Sequence, residues 1–218
     1  VMQYAGANTQ KIDLGGRTVI PGLIESHDHI YGGASHFMPP GSPRVEVLDP
    51  PIRYTTRPEF LAEIRARVQK KKPGEWLVTE PQGNTQELQS GQITRQDLDK
   101  IAPDNPVYLH WLVTVDGLVN SKALAPLLER YPKISGVYRD ANEEPTGRLS
   151  GLANPTMLYE FIPQVQPEQL APYYKMEMEE IAAQGMTTVS TRLSPNHLAV
   201  YSWLHAQDDT PVRMAYTL

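Results

Sequence analysis

Short apolar runs recur along the chain at places that predict buried strands. The first run ends at Ile24 after Pro21-Gly22, and it is short and bounded by turn residues, as buried strands are. Four further runs have this character, at residues 76–78, 106–113, 186–190 and 212–216. We predict one strand at each place. Residues 11–20 carry two shorter β-like runs around Gly15-Gly16, which predict a hairpin.

Helix signals lie between these strands. Thr56 and Glu59 have the spacing of a capping box, which marks a helix start. Apolar residues then follow at helical spacing until Pro73-Gly74, namely Phe60, Leu61, Ile64 and Val68. Thr94 and Asp97 predict a second, shorter helix to about residue 101.

The second half of the chain carries three more helix signals. Asn120 precedes a helical stretch, residues 167–184 form a long one, and Ser194-Pro195 has a cap followed by proline at the first helical position. Gly185 suits the left-handed position just after a helix. Residues 34–55 and 131–166 are rich in turn signals and are predicted to be irregular.

The order of these elements predicts an α/β fold. Strands alternate with helices, as in a parallel sheet with helical crossovers, and we count three or four strands in that sheet. No internal period indicates a repeat protein. The 218 residues are enough for one domain, or for one domain with a piece of another.

Composition narrows the chemistry. The chain has no cysteine, which excludes disulfides, thiolate metal sites and cysteine nucleophiles. The net charge is −5, and the cluster Lys70-Lys71-Lys72 suits a helix C-terminus, so we do not expect nucleic acid as a partner. No apolar run reaches the roughly 18 residues of a membrane span, and we expect no membrane partner. The compartment is open, with the cytoplasm favoured.

The most informative residues are two histidines at the end of the first apolar run. Residues i and i+2 of a strand face the same way, so we predict that His27 and His29 point together while Asp28 points away. Two imidazoles directed at one place can bind a divalent cation. The alternative is that both merely end the strand. Because the chain lacks cysteine, any metal must be held by histidines and carboxylates.

Residues 21–29, with the sequence PGLIESHDH, resemble the first-strand signature of the metal-dependent amidohydrolase superfamily. The lead-in at residues 12–20 is similar to that family as well. Further similarities lie at residues 119–124, 144–147 and 185–189. Together they resemble the branch called amidohydrolase family 3, from about residue 11 to the end.

This resemblance implies a partial (β/α)8 TIM-type barrel, made of its first strands plus a long insertion, with a segment of a small β-sandwich. Residues 1–20 would be the sandwich edge and lead-in strand. Residues 21–218 would be the N-terminal part of a metal-dependent hydrolase barrel, with the insertion at about 34–180. Both chain ends look interrupted, so we expect a piece of a longer protein.

The resemblance also implies a metal site. His27 and His29 would bind one or two divalent ions, usually zinc, and the other ligands and the catalytic residues of the family would come from later strands. A catalytic zinc usually has three protein ligands, so two histidines are too few. The branch also has a histidine shortly before the Val119-Asn120-Ser121 stretch, whereas residues 114–118 here read TVDGL.

Several other polar residues could have a role in the site, but for each of them a purely structural role is at least as well supported by the sequence. Glu25 could orient His27 from behind or pair with an inward cation. His110 could contact substrate or be a buried, hydrogen-bonded histidine, and Asn120 could be a ligand or a helix cap. His36 is predicted to be exposed in a loop. His197 and His205 are predicted to lie on the outer face of their helix.

The function implied is hydrolysis of a non-peptide C–N bond, in an amide, formamide, urea or cyclic amide, by a metal-activated water. The partners would be a small-molecule substrate and either the remainder of the barrel or further copies of the chain. Two alternatives stay open: a deaminase that uses the same metal site, and a non-catalytic piece that folds only with the rest of the barrel or a partner chain.

Overall fold

The computed structural model describes residues 2–44, 48–83, 91–111 and 116–217. Its strands are β1 Leu23–Asp28, β2 Ile52–Tyr54, β3 Leu77–Thr79, β4 Pro81–Gly83, β5 Val107–Trp111, β6 Asp116–Val119, β7 Val137–Arg139, β8 Pro145–Leu149, β9 Met186–Arg192 and β10 Arg213–Thr217. Its α-helices are α1 Ile30–Phe37, α2 Arg57–Val68, α3 Arg95–Ile101, α4 Ser121–Arg130, α5 Ala153–Thr156, α6 Pro167–Ala183 and α7 Pro195–Ala206. A 3₁₀ turn at Met2–Tyr4 and a π-helical turn at Met157–Phe161 complete the described elements.

The strands form three sheets rather than the one that we predicted. Strands β1, β9 and β10 make a parallel sheet with β9 in the middle. A second sheet has the order β3-β5-β6-β8-β7, and only its β3–β5 pair is parallel. Strands β2 and β4 form a short parallel pair. The connection from β5 to β6 is too short for a helical crossover, which is why those strands run antiparallel.

Helices cover one face of the parallel sheet. Helix α6 packs against both α1 and α7, and the three helices share a core with β9 that includes Ile30, Met178, Val189 and Val200. Two other apolar clusters lie in residues 52–118 and 78–162. The fold is therefore mixed α/β. No helix among the described residues has the length and apolar character needed to cross a bilayer.

The helix ends follow the sequence signals. The predicted capping box of Thr56 and Glu59 forms, and Thr94 and Asp97 form a second one. In each, the threonine side chain accepts from the backbone N–H three residues on, and the carboxylate accepts from the backbone N–H of the threonine. Helix α7 begins with Ser194 as its cap. Gly185 follows α6 with φ of +89°, a conformation that costs glycine little.

The lead-in at residues 11–20 is not the predicted hairpin. Gly15 and Gly16 do form a turn with positive φ, but the flanking residues are not strands. Ile12 is 74% exposed and Val19 is 71% exposed. No described strand pairs with this segment, so its backbone lacks the partners that a β-structure requires.

Two regions that we predicted to be irregular contain regular elements. Residues 34–55 include the second half of α1 and all of β2. Helix α1 forms despite Gly32-Gly33 because Ile30 and Ala34 are buried in the core shared with α6, and such packing outweighs intrinsic propensity. Residues 131–166 contain β7, β8, α5 and the π-helical turn. Their short strands lack a clear alternation, which is why the pattern missed them.

Candidate metal centre

Strand β1 places the two predicted histidines side by side. His27 is its penultimate residue, and His29 follows the strand as the cap residue of α1. The ring centroids are 5.2 Å apart and the ring planes make an angle of 60°. Both side chains are exposed. The two rings lie together as predicted, although His29 lies just beyond the strand whose period-two pattern led to the prediction.

Two carboxylates fix the backbone of this pair. Glu25 accepts from the backbone N–H of His27 at 3.0 Å, and Asp28 accepts from that of His29 at 2.7 Å. Glu25 thus contacts His27 through the main chain. The two predicted roles of Glu25, orienting the His27 ring and pairing with an inward cation, stay predictions, since neither contact occurs among the described residues.

The donor set fits part of a metal site. Neutral imidazole nitrogens are common ligands of zinc and other divalent ions. Two rings that share one ion at about 2.0–2.1 Å in tetrahedral geometry have centroids about 5 Å apart, close to the separation of this pair. However, the described residues contain no group of three or more His, Asp or Glu that could hold an ion. The described residues thus offer two candidate ligands, whereas a catalytic zinc usually has three protein ligands.

The histidine pair lies at the carboxyl edge of the parallel sheet. Asp28 of β1 and Tyr216 of β10 are both in register with Thr191 of β9, so all three strands end at the same edge.

Arg192 also lies at this edge, as the last residue of β9. Thr191 is 2% exposed, whereas the following Arg192 is exposed. Arg192 was not among the predicted site residues. The sequence pattern that could have pointed to Arg192 is its position at the end of the β-branched run after Gly185, since that run predicts a strand and its last residue lies at the carboxyl edge.

His110 lies in β5, in the five-stranded sheet and not in the sheet of the histidine pair. Its Nδ1 is 2.8 Å from the hydroxyl of Tyr108, which donates to Oδ1 of Asn154 at 2.8 Å. Burial lowers the pKa of His110 to about 4, so the ring is neutral at pH 7. The structure thus gives His110 a buried hydrogen-bonding role, and its substrate contact stays a prediction.

Asn120 has a structural role that explains its place before a helix. It is fully buried, and its Oδ1 accepts from the backbone of Ala123 in the first turn of α4 and of Val107 in β5. Its Nδ2 donates to the carbonyls of Ala102 and Asn105. All four positions of the amide are used, which leaves little capacity for a ligand.

One histidine prediction is wrong. His197 of α7 does not lie on the outer face: it is 2% exposed, its Nδ1 is 2.7 Å from Oγ of Ser194, and it stacks on Tyr174 of α6. Burial lowers its pKa to about 3. His197 lies on the face of α7 that packs against α6. The position of His197 within the helix does not by itself show which side of the helix is buried. His205 and His36 are exposed as predicted, although His36 lies in α1 rather than in a loop.

Comparison with known proteins places the chain in a family. The family model described as the amidohydrolase family matches residues 10–217. The chain belongs to the amidohydrolase family. The match includes the histidine pair of β1 and all three strands of the parallel sheet. Thr114 and Val115, part of the stretch without the expected histidine, lie outside the described residues.

This amidohydrolase-family chain is similar to longer proteins. It is 29% identical over 160 residues to the Bacillus subtilis (strain 168) protein YtcJ, covering 72% of this chain and 28% of that protein. It is 30% identical over 149 residues to an N-substituted formamide deformylase of Arthrobacter pascens, covering 66% and 26%. A crystal structure of an uncharacterized metal-dependent hydrolase from Pyrococcus horikoshii OT3 matches with a TM-score of 0.48 and 16% identity, covering 91% and 36%. The chain thus spans about a quarter to a third of these proteins.

Proposed function

We propose that this chain is part of a metal-dependent hydrolase that cleaves non-peptide C–N bonds, in an amide, formamide, urea or cyclic amide. The observation that carries the proposal is the pair of exposed imidazoles 5.2 Å apart at the carboxyl edge of a parallel sheet. Membership in the amidohydrolase family supports it, as does the similarity to a protein named for formamide deformylation.

In this proposal, His27 and His29 hold a divalent ion, with zinc as the favoured metal and one or two ions in the site. When bound, such an ion lowers the pKa of a coordinated water towards about 7 and polarises a carbonyl. The residues of the chain position the two ligands. Glu25 and Asp28 hold the backbone at each histidine, and the buried Ile30 anchors the start of α1 directly after His29.

We further propose that β1, β9 and β10, with α1, α6 and α7, are the opening part of a (β/α)8 barrel. The helices cover one face of this sheet, while Leu23 and Ile24 of β1 stay 48% and 70% exposed. Residues 1–20 would join a small β-sandwich in which Val19 and Ile20 are covered. The remainder of the barrel, or a second copy of the chain, would cover these residues and bring the missing ligands.

A second candidate is a non-catalytic piece that needs the rest of a barrel or a partner chain to fold. The absence of a three-residue metal cluster within residues 2–44, 48–83, 91–111 and 116–217 favours it. The two candidates differ in one measurable property, because only the hydrolase binds metal in stoichiometric amount.

The experiment uses the natural full-length protein with three single substitutions, His27→Ala, His29→Ala and the control His36→Ala, since His36 is an exposed histidine of α1. Metal content is measured by mass spectrometry, and hydrolysis is measured on a panel of amides, formamides, ureas, cyclic amides and one aminopyrimidine. We expect stoichiometric metal in the wild type and in the control. Replacing either His27 or His29 should remove the metal and lower kcat/KM at least about 100-fold. Even replacing a residue that only hydrogen-bonds to a metal ligand lowers metal affinity or activity about 10- to 100-fold.

Other outcomes separate the alternatives. Activity on the aminopyrimidine alone would make the protein a deaminase. Wild-type protein without stoichiometric metal and without activity on any panel member would support the non-catalytic candidate.

A further inference from the structure

We propose that Arg192 selects substrates that carry a carboxylate next to the scissile bond. This inference rests on the proposed function, since it assigns a substrate class to the same edge of the sheet. It starts from the position of Arg192, the last residue of the middle strand β9, adjacent to the strand that carries the histidine pair.

The register places Arg192 on the same face of the sheet as the histidines. The register of β1 shifts between Glu25 and Asp28, and Asp28 is in register with Thr191. By alternation from this pair, we place His27, which precedes Asp28, and Arg192, which follows Thr191, on the opposite face. His29 lies just beyond the strand, and its ring is 5.2 Å from that of His27. Neighbouring strands lie about 4.8 Å apart, so the backbone of Arg192 at the end of β9 is one strand away from the end of β1, where the histidines lie.

Burial along β9 identifies that face as the one turned away from the helices. Val189 and Thr191 are 0% and 2% exposed, and Val189 belongs to the core shared with α6 and α7. Arg192 is exposed. In the proposed barrel this face is the interior, and its carboxyl edge is where substrates bind in such barrels.

The charge of Arg192 is not engaged within the described residues. None of their ion pairs includes it. Glu25 and Asp28 each accept from a backbone N–H of the histidine pair, and neither forms an ion pair with Arg192 among the described residues. A planar guanidinium with five donors recognises a carboxylate through two parallel hydrogen bonds, so an anionic group on the substrate is the ligand that this residue fits.

The same sheet supplies a matched control. Arg213 is the first residue of β10 and is in register with Thr188, which has the same parity as Arg192 along β9. It is also exposed. Arg213 therefore lies on the same face but near the amino edge, away from the histidine pair. Replacing it changes the net charge equally without changing the proposed site.

The test compares ligands with and without a carboxylate, using the full-length protein and the variants Arg192→Gln, Arg192→Lys and Arg213→Gln. Hydrolysis is measured on N-acetylphenylalanine and N-acetylphenylalaninol, which share the scissile amide. Binding of 3-phenylpropanoate and 3-phenylpropan-1-ol is measured by NMR titration. A charge-assisted bond contributes enough to expect a carboxylate preference of about 10- to 100-fold in the wild type.

We expect Arg192→Gln to abolish this preference while leaving the neutral ligands unaffected, Arg192→Lys to retain part of it, and Arg213→Gln to retain all of it. A wild type without carboxylate preference in binding overturns the inference, as does an Arg192→Gln variant that retains it or that weakens both ligands equally. Preferential binding through Arg192 without hydrolysis of any amide would contradict the proposed function, and with it the role of Arg192 in selecting substrates, while Arg192 would remain a carboxylate-binding residue. Hydrolysis without a carboxylate preference would support the proposed function and overturn the role of Arg192.

Discussion

Strands β5 and β1 are the central contrast in this molecule. Val107, Tyr108 and Leu109 of β5 are fully buried, whereas Ile24 and Leu23 of β1 are 70% and 48% exposed. The five-stranded sheet is enclosed by helices and by its own apolar clusters. The parallel sheet has helices on one face only.

The difference separates polar groups that are buried and bonded within the protein from polar groups that are exposed. In the enclosed region, polar side chains such as Asn120 and His110 are buried and bonded to protein atoms. On the parallel sheet, His27, His29 and Arg192 are exposed at one edge. Buried polar groups whose hydrogen bonds are filled have little capacity for a ligand, and the exposed edge of the parallel sheet is where we propose the chemistry.

The largest effect is expected from Ile24→Ala. If the remainder of a barrel covers β1, this change should lower the free energy of unfolding of the full-length protein by about 2–5 kcal/mol. Leu152→Ala is the matched control, because Leu152 is 60% exposed but lies beside the enclosed region. It should change stability by less than about 0.5 kcal/mol. Urea unfolding measures the free energy of unfolding of both variants. An effect of Ile24→Ala as small as that of Leu152→Ala would mean that nothing covers β1.

The next effect concerns the enclosed region. Asn120→Ala should cost about 2–3 kcal/mol, since it removes the partner of two backbone N–H groups and two carbonyls in a buried region. Asn142→Ala is the control, because Asn142 is exposed in a turn. Chemical unfolding of the two variants compares them. A cost for Asn120→Ala as small as that of the control would show that its amide bonds are not needed.

The smallest effect is a pH dependence shared by both regions. Burial lowers the pKa of His110 to about 4 and that of His197 to about 3, whereas an unfolded histidine has a pKa near 6.5. The unfolded state therefore binds more protons between these values, and stability decreases as the pH falls below about 6.5. From pH 6.5 to 5 the loss is about 2 kcal/mol per histidine.

Variants of each histidine measure this loss separately. His110→Gln and His197→Gln should each remove about 2 kcal/mol of the difference in unfolding free energy between pH 6.5 and 5. An unchanged pH dependence in either variant would mean that the histidine concerned is accessible to protons in the folded state.

The sequence was a good guide where a local signal decides the structure. The capping pairs Thr56–Glu59 and Thr94–Asp97 predicted two helix starts, and the His27-Asp28-His29 spacing predicted that two rings lie together. These signals depend on only a few neighbouring residues, so tertiary contacts do not alter them.

Features set by long-range packing could not be predicted in this way. The pairing of β6 with β8 bridges the whole of α4 and β7, and the burial of His197 depends on α6. Strands β7 and β8 pair with each other across a short turn, but they are too short and too irregular in pattern to be predicted. The position of Arg192 beside the histidines depends on the pairing of β9 with β1. That pairing brings together residues more than 150 positions apart.

The most direct test of the histidine pair as a metal site is anomalous X-ray diffraction at the zinc edge, on crystals of the full-length protein grown with zinc. We expect an anomalous peak about 2.0–2.1 Å from one ring nitrogen of His27 and one of His29, and no such peak in crystals of the His27→Ala variant. A map with no peak between the two rings, or with the rings turned apart and hydrogen-bonded to protein atoms, would contradict the assignment.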